Sequence, residues 1–68
     1  MKEIKVNTEI IKLDAFLKWS AVASSGAEAK MFILDELILV NGEVCTQRGK
    51  KLKVDDIVTF DGESYKLV

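Results

Sequence analysis

The sequence contains no proline and no histidine, and it has only one cysteine. Without histidine the chain lacks the most common metal ligand and the most common general base at neutral pH, which excludes zinc sites and histidine-based catalytic triads. Cys45 alone cannot form an intrachain disulfide, and we expect it to be a small, partly or fully buried residue of a strand. No apolar stretch approaches the roughly 18 residues that a membrane span needs.

The composition is that of one small globular domain. Of the 68 residues, 49% are hydrophobic and 31% are charged, a balance that argues against disorder and against a membrane protein. A chain of this length builds a single core, so we predict one domain over residues 1–68. The first residues alternate charged and apolar side chains and lack the apolar block of a secretory signal, so we expect a cytoplasmic protein.

The first part of the chain predicts strands followed by a helix. Residues 4–6 and 9–13 mix alternation with β-branched side chains and predict one or two short strands. Asp14 precedes an apolar-rich run and is a candidate helix cap, so helix one is predicted over residues 15–22. Phe16 and Trp19 are expected in the core or at its edge.

A second helix is predicted to begin after Ser25. Glu28 follows three residues later, and this spacing matches a capping box, in which the two side chains satisfy each other's backbone N–H groups. The apolar residues beyond it fall on one stripe, as expected for a helix packed on a core: Ala29, Phe32, Ile33 and Leu37.

Two hairpins are predicted in the second half. Asn41-Gly42 separates two strand-like runs and suits a type I′ turn, which needs positive φ at both central residues, and Asp61-Gly62 separates two more. The predicted helices lie in the first half of the sequence, and most predicted strands lie in the second half. The expected fold is therefore an α+β domain with two short helices packed on a small antiparallel sheet of about four to five strands.

Charge placement suggests a nucleic-acid site. The net charge is −1, so the overall field does not attract nucleic acid, yet the segment from Arg48 to Lys53 holds four cations and no acid. A helix amino terminus offers free N–H groups and partial positive charge to a phosphate, and arginine binds phosphate through two hydrogen bonds. The candidate binding residues are Lys12, Ser25, Gly26, Lys30, Arg48, Lys50, Lys51 and Lys53.

These residues also have plainer interpretations. A lysine-rich turn is commonly a solvated loop, and Ser25 is first of all a helix cap. Trp19 has base stacking as its alternative to a core position. Asp55 and Asp56 are adjacent and point to opposite faces of a strand, which favours a solvated turn over a metal site. We expect no metal and no cofactor.

Four segments in this order resemble those of S4-type RNA-binding domains: Lys12-Leu13-Asp14-Ala15-Phe16-Leu17, Ser25-Gly26-Ala27-Glu28-Ala29-Lys30, Leu39-Val40-Asn41-Gly42-Glu43-Val44 and Lys53-Val54-Asp55-Asp56-Ile57-Val58. The likeness covers about residues 10–60 and is greatest to stand-alone bacterial proteins of the YaaA/YbcJ type. It implies the alpha-L RNA-binding motif. Gly26 stands where the family usually has arginine, and Asp55 where it usually has glycine, which adds an acid near the basic loop.

The resemblance implies a non-catalytic domain that binds structured RNA, ribosomal or transfer RNA, in ribosome biogenesis or translation. Ribosomal proteins are further candidate partners, whereas a membrane or a small-molecule substrate is not expected. The alternative is a protein-interaction module that docks on a ribosomal or RNA-processing protein, favoured by the near-zero net charge. Catalysis is disfavoured because the sequence has neither a nucleophile elbow nor a Walker phosphate loop.

Overall fold

The computed structural model describes all residues 1–68 and contains two helices and seven short strands. The elements in chain order are β1 (Lys2–Ile4), β2 (Ile11–Lys12), α1 (Leu13–Trp19), α2 (Gly26–Leu34), β3 (Ile38–Val40), β4 (Glu43–Val44), β5 (Lys51–Leu52), β6 (Ile57–Phe60) and β7 (Glu63–Leu67). Neither helix is long and apolar enough to cross a membrane.

Helix α1 begins two residues earlier than predicted and is not capped by Asp14. Its cap position is Lys12, which supplies no side-chain hydrogen bond. The N–H groups of Leu13 and Asp14 donate instead to the carbonyl oxygens of Lys50 (2.8 Å) and Arg48 (3.1 Å). A distant loop thus satisfies donors that a local cap would otherwise serve. The helix ends at Trp19, before Ala21 turns to a φ of 64°, so the predicted extension to residue 22 is wrong.

Helix α2 begins where the sequence predicts. The Ser25 hydroxyl accepts a hydrogen bond from the Glu28 N–H at 3.1 Å. The Glu28 carboxylate, however, accepts a hydrogen bond from the N–H of Ser24 (2.9 Å) and not from that of Ser25. The second bond of the capping box is therefore made one residue before its usual position. Ala29 and Ile33 are buried as predicted. Leu37 is 48% exposed because the helix has ended and Glu36, with a φ of 63°, redirects the chain.

Both predicted hairpins are present. Asn41 and Gly42 have φ of 52° and 87°, and Asp61 and Gly62 have φ of 52° and 78°. Positive φ at both central residues matches the twist of the flanking strands, and these residue types adopt it at little cost.

The expected fold class is confirmed, with one difference in the sheet. Five strands pair in the order β1-β7-β6-β3-β4. All neighbours are antiparallel except β1 and β7, which run parallel, so the sheet is mixed at one edge. Strands β2 and β5 form a separate antiparallel ladder.

The core lies between the helices and the five-stranded sheet. No polar side chain is buried, and the twelve buried residues are Val6, Leu13, Phe16, Leu17, Ala23, Ala29, Ile33, Ile38, Val40, Leu52, Val58 and Leu67. Phe16 is fully buried as predicted, and Cys45 is half-buried against this core just after β4. Trp19, expected in the core or at its edge, is 52% exposed and therefore lies outside the buried core.

Candidate nucleic-acid interface

The β2–β5 ladder places two predicted binding residues side by side. Lys12 lies directly opposite Lys51, and the other pair in the ladder is Ile11 with Leu52. Opposed residues of an antiparallel pair share a face, and successive residues alternate between faces. Because Leu52 is fully buried, Lys12 and Lys51 share the outer, exposed face.

The loop before β5 continues this surface along the start of α1. The carbonyl groups of Arg48 and Lys50 accept the first two N–H groups of α1, so the backbone holds both residues in place. A further bond from the Lys50 N–H to the Gln47 carbonyl (3.1 Å) closes a turn in the loop. We call the exposed cations carried by the loop and the ladder the basic strip: Lys12, Arg48, Lys50, Lys51 and Lys53.

Most cations of the basic strip lack an acidic partner. Only Arg48 has one, with its Nε 4.0 Å from the Asp14 carboxylate, and both side chains are partly exposed. The two remaining ion pairs of the molecule, Lys2 with Glu63 and Lys66 with Asp55, involve strands of the five-stranded sheet. Exposed pairs of this kind contribute little to stability, so Arg48 stays available to a stronger anionic partner.

Asn41 joins the first hairpin to the end of the basic strip. Its side-chain N–H donates to Asp56 (3.1 Å), and its side-chain oxygen accepts from the N–H of Ile57 (2.9 Å). The other Asp56 oxygen accepts from the N–H of Lys53 at 2.9 Å. The sequence predicts a turn at Asn41 but not this bond, because a contact 15 residues away leaves no local signal.

Two open grooves flank Lys50, and both are also lined by Asn41. One, of about 310 Å³, is lined by Ile10, Asn41, Lys50, Lys51, Leu52, Lys53 and Asp56. The other, of about 420 Å³, is lined by Val40, Asn41, Glu43, Val44, Cys45, Thr46, Gln47 and Lys50. The first brings three lysines around one depression, an arrangement that suits a phosphate group.

The acid at position 55 turns away from the basic strip. The Asp55 carboxylate lies 3.8 Å from the Lys66 ammonium group of β7. The backbone of Asp55 has a φ of 80°, a left-handed value that glycine adopts freely and aspartate tolerates with strain. A glycine, which the resemblance to S4-type domains leads us to expect here, would adopt this conformation without strain.

The start of α2 carries the other predicted binding residues. Ser25, Gly26 and Lys30 are exposed there, and no hydrogen bond or ion pair joins them to the basic strip. The N–H groups of Gly26 and Ala27 precede the first intrahelical bonds and have no acceptor, as a phosphate seat requires. The Glu28 carboxylate nevertheless folds back to Ser24 at the same helix end, where it opposes an anion.

The rest of the surface has two other features. No group of three acidic or cysteine side chains is positioned to hold a metal ion. An open apolar concavity lies on α1 beside the half-exposed Trp19.

The chain matches a known family over nearly its whole length. A profile described as the S4 domain matches residues 4–68. A protein of Bacillus subtilis (strain 168), described as the probable ribosome maturation protein RlbA, is 44% identical over 59 residues, which are 87% of this chain and 83% of the relative.

Two solved structures share the fold. The solution structure of YbcJ from E. coli, described as revealing an alphaL motif involved in RNA-binding, superposes with a TM-score of 0.74 at 29% identity over 100% of this chain and 87% of YbcJ. The 30S ribosomal protein S4e from Thermoplasma acidophilum gives a TM-score of 0.67 at 20% identity and matches 88% of this chain. The match spans 32% of S4e and shows the fold alone.

Proposed function

The chain belongs to the S4 domain family, and from this membership and the basic strip we propose that it binds structured RNA without catalysing a reaction. The RNA is ribosomal or transfer RNA, and the setting is ribosome maturation in the cytoplasm. The relative described as a probable ribosome maturation protein and the YbcJ motif described as involved in RNA-binding support this proposal.

The observation that carries the proposal is the Lys12–Lys51 pair. Like charges directly opposite each other in a ladder are destabilising, and here they sit in a ladder of only two residue pairs. No acid of the chain lies within ion-pair distance of either lysine. An RNA phosphate between the two ammonium groups would relieve this repulsion and release bound counterions.

The arrangement determines how RNA would be recognised. Cations of the basic strip would contact phosphates, which orient the RNA but carry no sequence information. The start of α2, with Ser25, Gly26 and Lys30, would add a secondary phosphate contact because Glu28 weakens its positive end. Selectivity would then come from RNA shape, through a helix end, a bulge or a loop.

The test is fluorescence anisotropy with a labelled RNA hairpin at several salt concentrations. We expect affinity to fall with salt, with a log-log slope of about −0.7 to −0.9 for each phosphate contact. Arg48→Ala combined with Lys51→Ala should weaken binding at least about tenfold and flatten that slope by nearly two contacts.

A matched control removes the same charge elsewhere. Lys2→Ala combined with Lys66→Ala also deletes two cations, but these lie on strands β1 and β7, and each is paired with an acid. We expect this variant to bind nearly as well as the unaltered protein. Equal losses in the two double variants, or no salt-sensitive binding at all, would contradict the proposal.

A further inference from the structure

Trp19 is held in a fixed orientation although half of it is exposed. Its side chain is 52% exposed, and its indole N–H donates to the carbonyl oxygen of Lys5 at 2.8 Å. The bond ties the last residue of α1 to the link between β1 and β2. An exposed aromatic ring that cannot rotate freely loses little conformational entropy when it binds a flat partner.

The exposed ring forms one wall of a concavity of about 370 Å³. Ile11, Ala15 and Lys18 supply the rest of its lining. Lys18 and Trp19 lie three and four residues after Ala15, so both flank it on one face of α1. Lys18 is the only charged residue there, and no acid lies within ion-pair distance of it.

The concavity is close to the basic strip. Ile11 directly precedes Lys12 in β2, and Lys12 is the cap residue of α1. Trp19 lies seven residues further on, which is about 10 Å along the helix axis at 1.5 Å per residue. An RNA strand whose phosphates rest on Lys12 and Lys51 therefore has Trp19 within reach of a nearby nucleotide.

We infer that Trp19 is a stacking platform for one unpaired base of the bound RNA. The inference rests on the proposed function and adds a base contact to the phosphate contacts. Lys18 at the rim favours a negatively charged partner. A lining of four residues suits a single heterocycle, whereas a protein interface buries about 800 Å² per partner, roughly a fifth of the 4345 Å² that this molecule exposes.

The test uses Trp19 as its own probe, since it is the only tryptophan in the chain. Two RNA duplexes are compared, one with a single bulged adenosine and one fully paired. We expect the bulged duplex to quench tryptophan fluorescence and the paired duplex to leave it nearly unchanged. Trp19→Leu should weaken binding of the bulged duplex by at least about fivefold and binding of the paired duplex by much less.

Two further variants separate stacking from folding. Trp19→Phe keeps an aromatic face and should retain part of the preference for the bulge. Ala15→Leu fills the concavity and keeps the bond from Trp19 to Lys5, so it should abolish the quenching with the melting temperature unchanged. Salt-sensitive binding that is equal for both duplexes and unaffected by Trp19→Leu would overturn the inference and leave the proposed function standing. Absence of any RNA binding would overturn both.

Discussion

The basic strip and the start of α2 carry the candidate phosphate contacts, and the fold builds the two regions in opposite ways. The basic strip is assembled from two distant parts of the sequence, by the β2–β5 ladder and by bonds from Leu13 and Asp14 to the loop. The start of α2 is assembled from adjacent residues, Ser24 to Glu28, that bond to each other.

The difference lies in what each region does with its charge. The basic strip leaves four lysines without acidic partners and places two of them opposite each other, which opposes stability. The start of α2 uses its serine and glutamate to complete a cap, which favours stability. We therefore expect the start of α2, where the Glu28 carboxylate opposes an anion, to be the weaker phosphate site.

Reversing one charge in each region tests this comparison most strongly. Lys51→Glu should weaken RNA binding at least about tenfold in anisotropy titrations, because it puts a carboxylate beside Lys12. The same change should raise the free energy of unfolding by about 0.5 kcal/mol in urea titrations, since opposite charges then face each other in the ladder. The combination of greater stability and weaker binding is the signature of a lysine retained for binding.

Lys30→Glu is the matched change at α2. Lys30 is exposed and has no acidic partner, so the two variants alter net charge equally. We expect a loss of about threefold or less. A loss as large as that of Lys51→Glu would make the two regions equal partners in one site.

Removing the cap tests whether the start of α2 is mainly structural. Ser25→Ala should lower stability by about 1 kcal/mol, because the Glu28 N–H loses its acceptor. In thermal unfolding this corresponds to roughly 4–8 °C for a domain of this size. RNA affinity of the folded variant should change less than about twofold. Ser24→Ala keeps the backbone bond to Glu28 and should cost less; a large loss of affinity with Ser25→Ala would show that the hydroxyl contacts RNA.

Adding a cation at Gly26 tests whether the start of α2 can be made a stronger phosphate site. Nothing lies within 4 Å of a Cβ added at this position, so an arginine fits without displacing a neighbour. Gly26→Arg should tighten RNA binding about threefold and steepen the salt slope by about 0.7 to 0.9, as one added phosphate contact does. Gly26→Ala is the control and should leave the slope unchanged. An unchanged slope with arginine would place the start of α2 outside the bound RNA.

The parts of the fold that sequence predicts are those determined by adjacent residues. Both hairpins follow from Asn-Gly and Asp-Gly, which supply positive φ where the turn needs it. The start of α2 follows from the Ser25 hydroxyl bonded three residues ahead. The α1 start was misplaced because Lys50 and Arg48, more than 30 residues away, replace the local cap. The parallel pairing of β1 with β7 likewise joins the two ends of the sequence.

In the candidate site, too, the sequence predicts what adjacent residues determine and not the contacts between distant residues. Composition alone indicates the cations from Arg48 to Lys53, and each of them is exposed. It does not show that Lys12 faces Lys51, that Asn41 holds the turn at Asp56, or that Asp55 turns to Lys66. Trp19 shares its spacing with the buried Phe16, so periodicity favours a core position, and only the bond to Lys5 reveals how the ring is held at the surface.

The smallest predicted effect concerns the one cation of the basic strip that has a partner. Asp14→Asn removes the acid 4.0 Å from Arg48, while the asparagine oxygen can still accept the Ala15 N–H that Asp14 accepts at 2.8 Å. We expect RNA binding to tighten about twofold at low salt and to be unchanged at high salt, because the pair is partly exposed and readily screened. Asp61→Asn is the control: it removes the same charge from the β6–β7 turn, at the opposite end of β6 from Asn41. If both variants tighten binding equally, the change in overall charge accounts for the gain. The ion pair between Arg48 and Asp14 then does not weaken the contact of Arg48 with RNA.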